Sequence, residues 1–367
     1  MSQQNGYIPT LNGWRGLSII GVILFHGNFF PSDSLLAKVT YHGDIGVDVF
    51  FAVSGFLICG LLLQEYARAG EIDLRCFYIR RVFRILPPYY AALAAIVAIS
   101  AFGAIHITYS NLPSCLLFYR NYMPLGGDYY TAHYWSLSVE EHFYLLWPVL
   151  LIASTPKRAG KVAFVLALAV FCWRVLEIQF HFLSGILPWE DVLCRSDTRL
   201  DGLLWGCLAA IYFPAIEGRV ERVRFSQLWL PILAVVLATQ GIHTRSLMLQ
   251  TFLAPALVLS TVLQPRSLLG RLLEWKPLSW IGTISYSLYL WQELFLAHAP
   301  QVMATGAFRH LQQPPWNVLA ILVCACVSRC LIEIPMTRLG HRLVELPSLL
   351  ASKPQKDPTS HPLKRAG

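Results

Sequence analysis

Charge is what this sequence has least of. Asp, Glu, Lys and Arg make up only 14% of its 367 residues, against 55% hydrophobic ones, where a soluble domain carries roughly 25% charged residues. That scarcity excludes an ordinary water-soluble globule and predicts an integral membrane protein. Ligand spacings are missing too. The nine cysteines include no CxxC pair, the 11 histidines form no HxxxH pair, and no P-loop or glycine-rich fingerprint occurs. The expectation is therefore no metal and no permanently bound cofactor, with Cys324, Cys326 and Cys330 as small packing residues. No cleavage site follows the first apolar stretch, and no internal repeat is evident. The net charge of +8 comes without a nucleic-acid motif, and basic loops between membrane spans explain it more simply.

What is abundant is apolar sequence in runs of span length, about 17–25 residues. Ten such runs fall near 12–30, 46–64, 86–105, 136–154, 161–180, 199–213, 227–242, 247–263, 279–299 and 316–338. With the N-terminus cytoplasmic, 21 of the 29 Lys and Arg lie on the cytoplasmic side and six on the other, the bias expected of a bacterial inner-membrane protein with both termini inside. The expected fold is all-α and polytopic, about ten transmembrane helices in one bundle over residues 1–345. Residues 346–367, polar and proline-rich, read as a disordered cytoplasmic tail.

Ionisable groups inside such runs are costly, so they usually face a partner, a cavity or a substrate path. Arg15 and His26 stand eleven residues apart in the first run, which places them within about 20° of one helical face and roughly 16 Å apart along it. Asp48 opens the second run on the leaflet side of His26, either as a helix-start acid or as the carboxylate that orients the imidazole. Arg80, Arg81 and Arg84 precede the third run. They read as a positive-inside anchor or as a phosphate clamp for a nucleotide-bearing donor such as coenzyme A. Glu140 and Glu141 begin the fourth run about 100° apart, so one can face a site while the other braces the bundle. Arg199 and Asp201 at the sixth either pair with each other or meet an acceptor. The polar points Ser285–Trp291 and Glu333 read as structural.

Together these segments resemble the acyltransferase family 3 membrane proteins, which O-acylate sugars and related acceptors. The motifs are Arg15-x10-His26, GVDVFFAVSGF at 46–56, the arginines at 80–84, WSLSVEEHFY at 135–144 and Arg199-Leu200-Asp201-Gly202. The resemblance runs from Leu11 to about Pro335. It implies acyl-CoA, with acetyl the expected acyl group, as a cytoplasmic donor. It also implies a carbohydrate or lipid-linked glycan hydroxyl as acceptor, His26 as the catalytic group, and a need for Arg15 and the arginines at 80–84.

A mechanism follows from the residue types. An alcohol attacks a thioester poorly unless it loses its proton during attack, and histidine is suited to take it. His26 would do so with Asp48, Glu140 or Glu141 supporting the imidazolium, or would carry the acyl group itself. The rival reading is a transporter or flippase for a glycan, with the same groups as a proton relay. The missing repeats and the one-sided arginines speak against it.

Overall fold

The first helix, α1 (Pro9–Gly27), begins with proline at a position where its absent N–H is not needed and ends at Asn28 in the left-handed region, φ 42°. In this computed structural model residues 8–351 are described, except 125–127, 156, 184–191, 221–226 and 240–242. A short helix α2 (Leu35–Thr40) leads into α3 (Ile45–Ala69), which stops at Gly70 with φ +77°. The next helix, α4 (Leu74–Ala101), is capped by the Asp73 carboxylate, which accepts from the Cys76 amide at 2.9 Å. Hydrogen bonds from Cys76, the thiol first and then the amide, hold that carboxyl below its ordinary range. This helix starts twelve residues ahead of the apolar run beginning near 86, so Arg80, Arg81 and Arg84 lie within it rather than before it.

The short helices α5 (Leu112–Leu116) and α6 (Tyr129–Ala132) precede α7 (Tyr134–Ser154), α8 (Ala159–Phe180) and α9 (Ser196–Val220). Then come α10 (Trp229–Thr239), α11 (His243–Leu263) and the short α12 (Leu268–Leu273). The run expected at 279–299 is two helices, α13 (Lys276–Thr283) and α14 (Ser285–Leu296), broken at Ile284. After α15 (Trp316–Ser328) a π-helical turn at Arg329–Glu333 continues into α16 (Ile334–Ala351). The remainder of the expected tail lies outside the described residues.

Among the described residues there is no strand. Five helical segments among them are long and apolar enough to cross a membrane: Leu35–Ala69, Leu74–Ala101, Ala159–Phe180, Val192–Arg219 and Trp316–Glu345. The others expected as spans are shorter or carry more polar residues. Two of these, α1 and α7, contribute to two apolar cores at once. Leu11 and Trp14 pack with residues of α3, α9 and α11, whereas Ile19 and Val22 pack with α4, α14 and α15. Likewise Val139 and Trp147 belong to the first core, and Tyr134 and Leu137 to the second.

Close backbone approach holds these helices together. A Cβ on Gly55 would lie 1.9 Å from the Leu203 carbonyl oxygen, so α3 and α9 meet at a glycine. One on Gly282 would lie 1.8 Å from the Asn12 carbonyl oxygen, which seats α13 against α1. Between apolar helices in lipid, this close van der Waals contact replaces the hydrophobic drive.

Candidate active site

Five helices, α1, α3, α4, α7 and α14, leave an elongated cavity of about 380 Å³ between them. Its α3 wall runs from Val47 to Leu61, roughly 21 Å at 1.5 Å per residue. One end is charged: Arg15 from α1, Arg81 and Arg84 from α4, and Glu140 and Glu141 from α7 all line it. Glu140 is fixed there, accepting from Ser54 Oγ at 2.8 Å and from the Tyr144 hydroxyl at 3.1 Å. The Arg81 guanidinium stands over the rings of Tyr144 and Phe77, at 5.4 and 5.7 Å from their centroids. The rest of the wall is largely apolar, formed by Leu57, Ile58, Phe50, Phe51 and Leu137.

At its other end the cavity meets Ser136 and Tyr289, whose hydroxyls are 2.6 Å apart. The backbone carbonyl of His133 lies 3.2 Å from each hydroxyl and accepts from whichever of the two is not donating to the other. Behind this wall stands a constellation of two imidazoles and one carboxylate. Glu293 Oε2 lies 2.8 Å from His133 Nδ1, and Glu293 Oε1 lies 3.4 Å from His26 Nε2. Glu293 and His133 are buried, whereas the His26 side chain keeps 25% exposure. The outward nitrogens, His26 Nδ1 and His133 Nε2, are buried without a hydrogen-bond partner among the described residues. A buried polar atom left open in this way is a candidate to meet substrate.

The chemistry of the two ends differs. Guanidinium groups and an apolar tunnel suit a long donor with an anionic head. A histidine braced by a carboxylate suits removal of a proton from a hydroxyl, the brace fixing its tautomer and stabilising the cation that forms. Among the described residues no cluster of His, Cys, Asp and Glu is arranged to hold a metal ion.

The family model Acyl_transf_3, described as an acyltransferase domain, matches residues 8–336. The chain belongs to acyltransferase family 3. It is similar to the peptidoglycan O-acetyltransferase OatA of Listeria monocytogenes, 28% identical over 369 residues, covering 91% of this chain and 56% of that one. It is also similar to the O-acetyltransferase OatA of Staphylococcus aureus, 30% identical over 373 residues, covering 93% of this chain and 57% of the relative. The chain thus spans little more than half the length of these relatives. No solved structure matches it. Both relatives are named as transferases, which does not favour the transporter reading.

Within this family 3 chain the expected residues divide into three groups. Arg15, Arg81, Arg84, Glu140 and Glu141 line the cavity. Arg80 does not line it, and pairs instead with Glu65 at 3.3 Å. Asp48 is not drawn to His26. It sits 2.8 Å from Arg199, whose guanidinium also lies over Phe51 and Trp135. Nor do Arg199 and Asp201 hold each other, because Asp201 forms a two-pronged pair with Arg174 at 2.8 and 2.9 Å. The carboxylate beside His26 is Glu293, absent from the sequence-based candidates, and so is His133. One signal was available: Glu293 is an acid inside the apolar run 279–299, the kind of residue that in a span demands a partner.

Proposed function

We propose that this protein is a membrane O-acyltransferase that moves an acyl group, acetyl by analogy with the relatives' names, from acyl-CoA to a glycan hydroxyl. The acceptor class we favour is peptidoglycan or its lipid-linked precursor. In this reading about ten helices cross the bacterial inner membrane, both termini are cytoplasmic, and Arg15, Arg81 and Arg84 face the cytoplasm. Donor phosphates rest on these guanidiniums, and the narrow pantetheine arm extends along the apolar wall towards Ser136 and Tyr289. Glu140, held by Ser54 and Tyr144, offsets part of the positive charge and keeps the guanidiniums apart.

His26 then removes the proton of the acceptor hydroxyl as oxygen attacks the thioester carbon, and Glu293 stabilises the imidazolium. The half-exposed position of His26 lets an acceptor reach it from the side opposite the arginines. The observation that carries this reading is the arrangement itself, an arginine-lined cavity ending against a wall backed by a histidine–carboxylate contact.

The test uses the full chain in lipid nanodiscs, radiolabelled acetyl-CoA as donor and N-acetylchitopentaose as a peptidoglycan-like acceptor. Label should appear in the sugar with wild-type protein and vanish with His26→Ala. Undiminished transfer by a well-folded His26→Ala protein would refute the assignment.

A further inference from the structure

We propose that His133 is a second catalytic residue, the proton donor to the departing thiolate, so that Glu293 serves two histidines with opposite duties. This inference rests on the acyl-CoA reading above. His133 lies directly behind the end of the cavity: its carbonyl accepts from Ser136 and Tyr289, and its ring centroid is 5.7 Å from that of Tyr289. His26 lies on the other side of Glu293 and is the more exposed of the two rings. One imidazole therefore borders the donor and the other borders the acceptor. Each turns one nitrogen to the shared carboxylate and keeps the other, buried, without a partner.

The step balances as follows. Before reaction His26 is neutral, with its Nε2 proton towards Glu293 and a lone pair on Nδ1. Glu293 is ionised, and His133 carries protons on both nitrogens. The acceptor hydroxyl gives its proton to His26 Nδ1 as the C–O bond forms. The C–S bond breaks, and sulfur takes the Nε2 proton of His133, leaving as coenzyme A thiol. The products are the ester and the thiol. His26 is now the cation and His133 is neutral, and water returns them to the starting state by taking one proton and supplying the other.

Across the chemical step the three side chains keep a net charge of zero. That matters where water is scarce. Burying an uncompensated charge is costly, and a lone thiolate expelled into a dry site would be one. A carboxylate with an imidazolium on one side before the step and on the other after it avoids both a bare anion and an unpaired cation. A purely structural His133 would need only its Glu293 contact, and would gain nothing from an unpartnered Nε2.

The experiment compares two donors in the same nanodisc preparation, acetyl-CoA and S-(4-nitrophenyl) thioacetate, with N-acetylchitopentaose as acceptor. The aromatic thiol is far more acidic, so its anion leaves without help. His133→Asn retains an N–H where Nδ1 meets Glu293 and lacks the outer nitrogen. We expect it to slow transfer from acetyl-CoA by about 100-fold, and from the aromatic thioester by less than about threefold, the pattern of lost general-acid catalysis. Since both rates come from one sample, a smaller folded fraction lowers them together and leaves their ratio intact. His133→Gln, which loses the Glu293 contact, provides a second variant and should show the same ratio. Equal slowing with both donors, or wild-type rates in His133→Asn, would overturn the proposal. If His26→Ala transferred as well as wild type, or wild type transferred from neither donor, the acyltransferase reading itself would fall.

Discussion

Arg80 and Arg81, neighbours in sequence, point to different environments: Arg80 reaches Glu65 at 3.3 Å, while Arg81 lies in the cavity over the ring of Tyr144. A helix turns about 100° per residue, so consecutive side chains leave it in different directions. Arg81→Ala and Arg84→Ala should each raise the KM for acyl-CoA by about tenfold or more, as expected for loss of a charge-assisted contact of about 1.5–3 kcal/mol. Arg80→Ala should change it less than about twofold, since a surface ion pair contributes only about 0–1 kcal/mol. Donor titration in nanodiscs measures all three, and an Arg80 effect as large as that of Arg81 would contradict the assignment.

The carboxylates Glu293 and Asp48 should fail differently. Glu293→Gln should lower kcat by about 100-fold or more with little loss of folded protein, because the brace of the proposed base His26 is removed. Asp48→Asn leaves the buried Arg199 guanidinium without its counter-charge, and should cost about 3–5 kcal/mol of stability. Thermal unfolding beside initial rates separates the two, and a catalytic defect in Asp48→Asn without destabilisation would return Asp48 to the site.

The pair between Arg174 and Asp201 is fully buried. Removing one partner, as in Arg174→Met or Asp201→Leu, should destabilise by about 3–5 kcal/mol, whereas the double replacement should recover most of that loss. Melting curves for the two single variants and the double one check this. A double variant no better than the singles would mean that packing, rather than charge, decides the site.

Glycine positions on α3 offer a packing test. Gly55 abuts the Leu203 backbone, and Gly60 has nothing within 4 Å of where a Cβ would stand. Gly55→Leu should force α3 from α9 and abolish monodisperse protein on size exclusion. Gly60→Leu should elute as wild type, its change being confined to open space, and equal behaviour of the two would discount the contact.

Much of the helical layout was legible because long apolar runs and their flanking basic loops carry it. The cavity's charged end was legible too, since Arg15, Arg81, Arg84, Glu140 and Glu141 sit at unusual points in those runs. What the sequence concealed was pairing. Asp48 lay on the correct side of the bundle for His26, but proximity along a membrane axis says nothing of rotation around it. Arg199, some 150 positions away, takes Asp48. Glu293 lies on α14 and His133 at the turn between α6 and α7, two places brought together only by tertiary packing, and no local spacing encodes that. The break at Ile284 was equally hidden, since the apolar run continues across it.

The hydrogen-bonded Ser136 and Tyr289 hydroxyls have a bearing beyond the reaction. A base reached from one face of a membrane and a donor chamber reached from the other would, if joined, form a leak for protons and small ions. In the reading proposed above, the lining of the empty chamber ends at these two hydroxyls and leaves His26, Glu293 and His133 outside it, so the hydroxyls would separate the two aqueous phases until a donor arm parts them. An acyltransferase of that kind would carry out chemistry from both sides of a membrane without discharging the gradient across it.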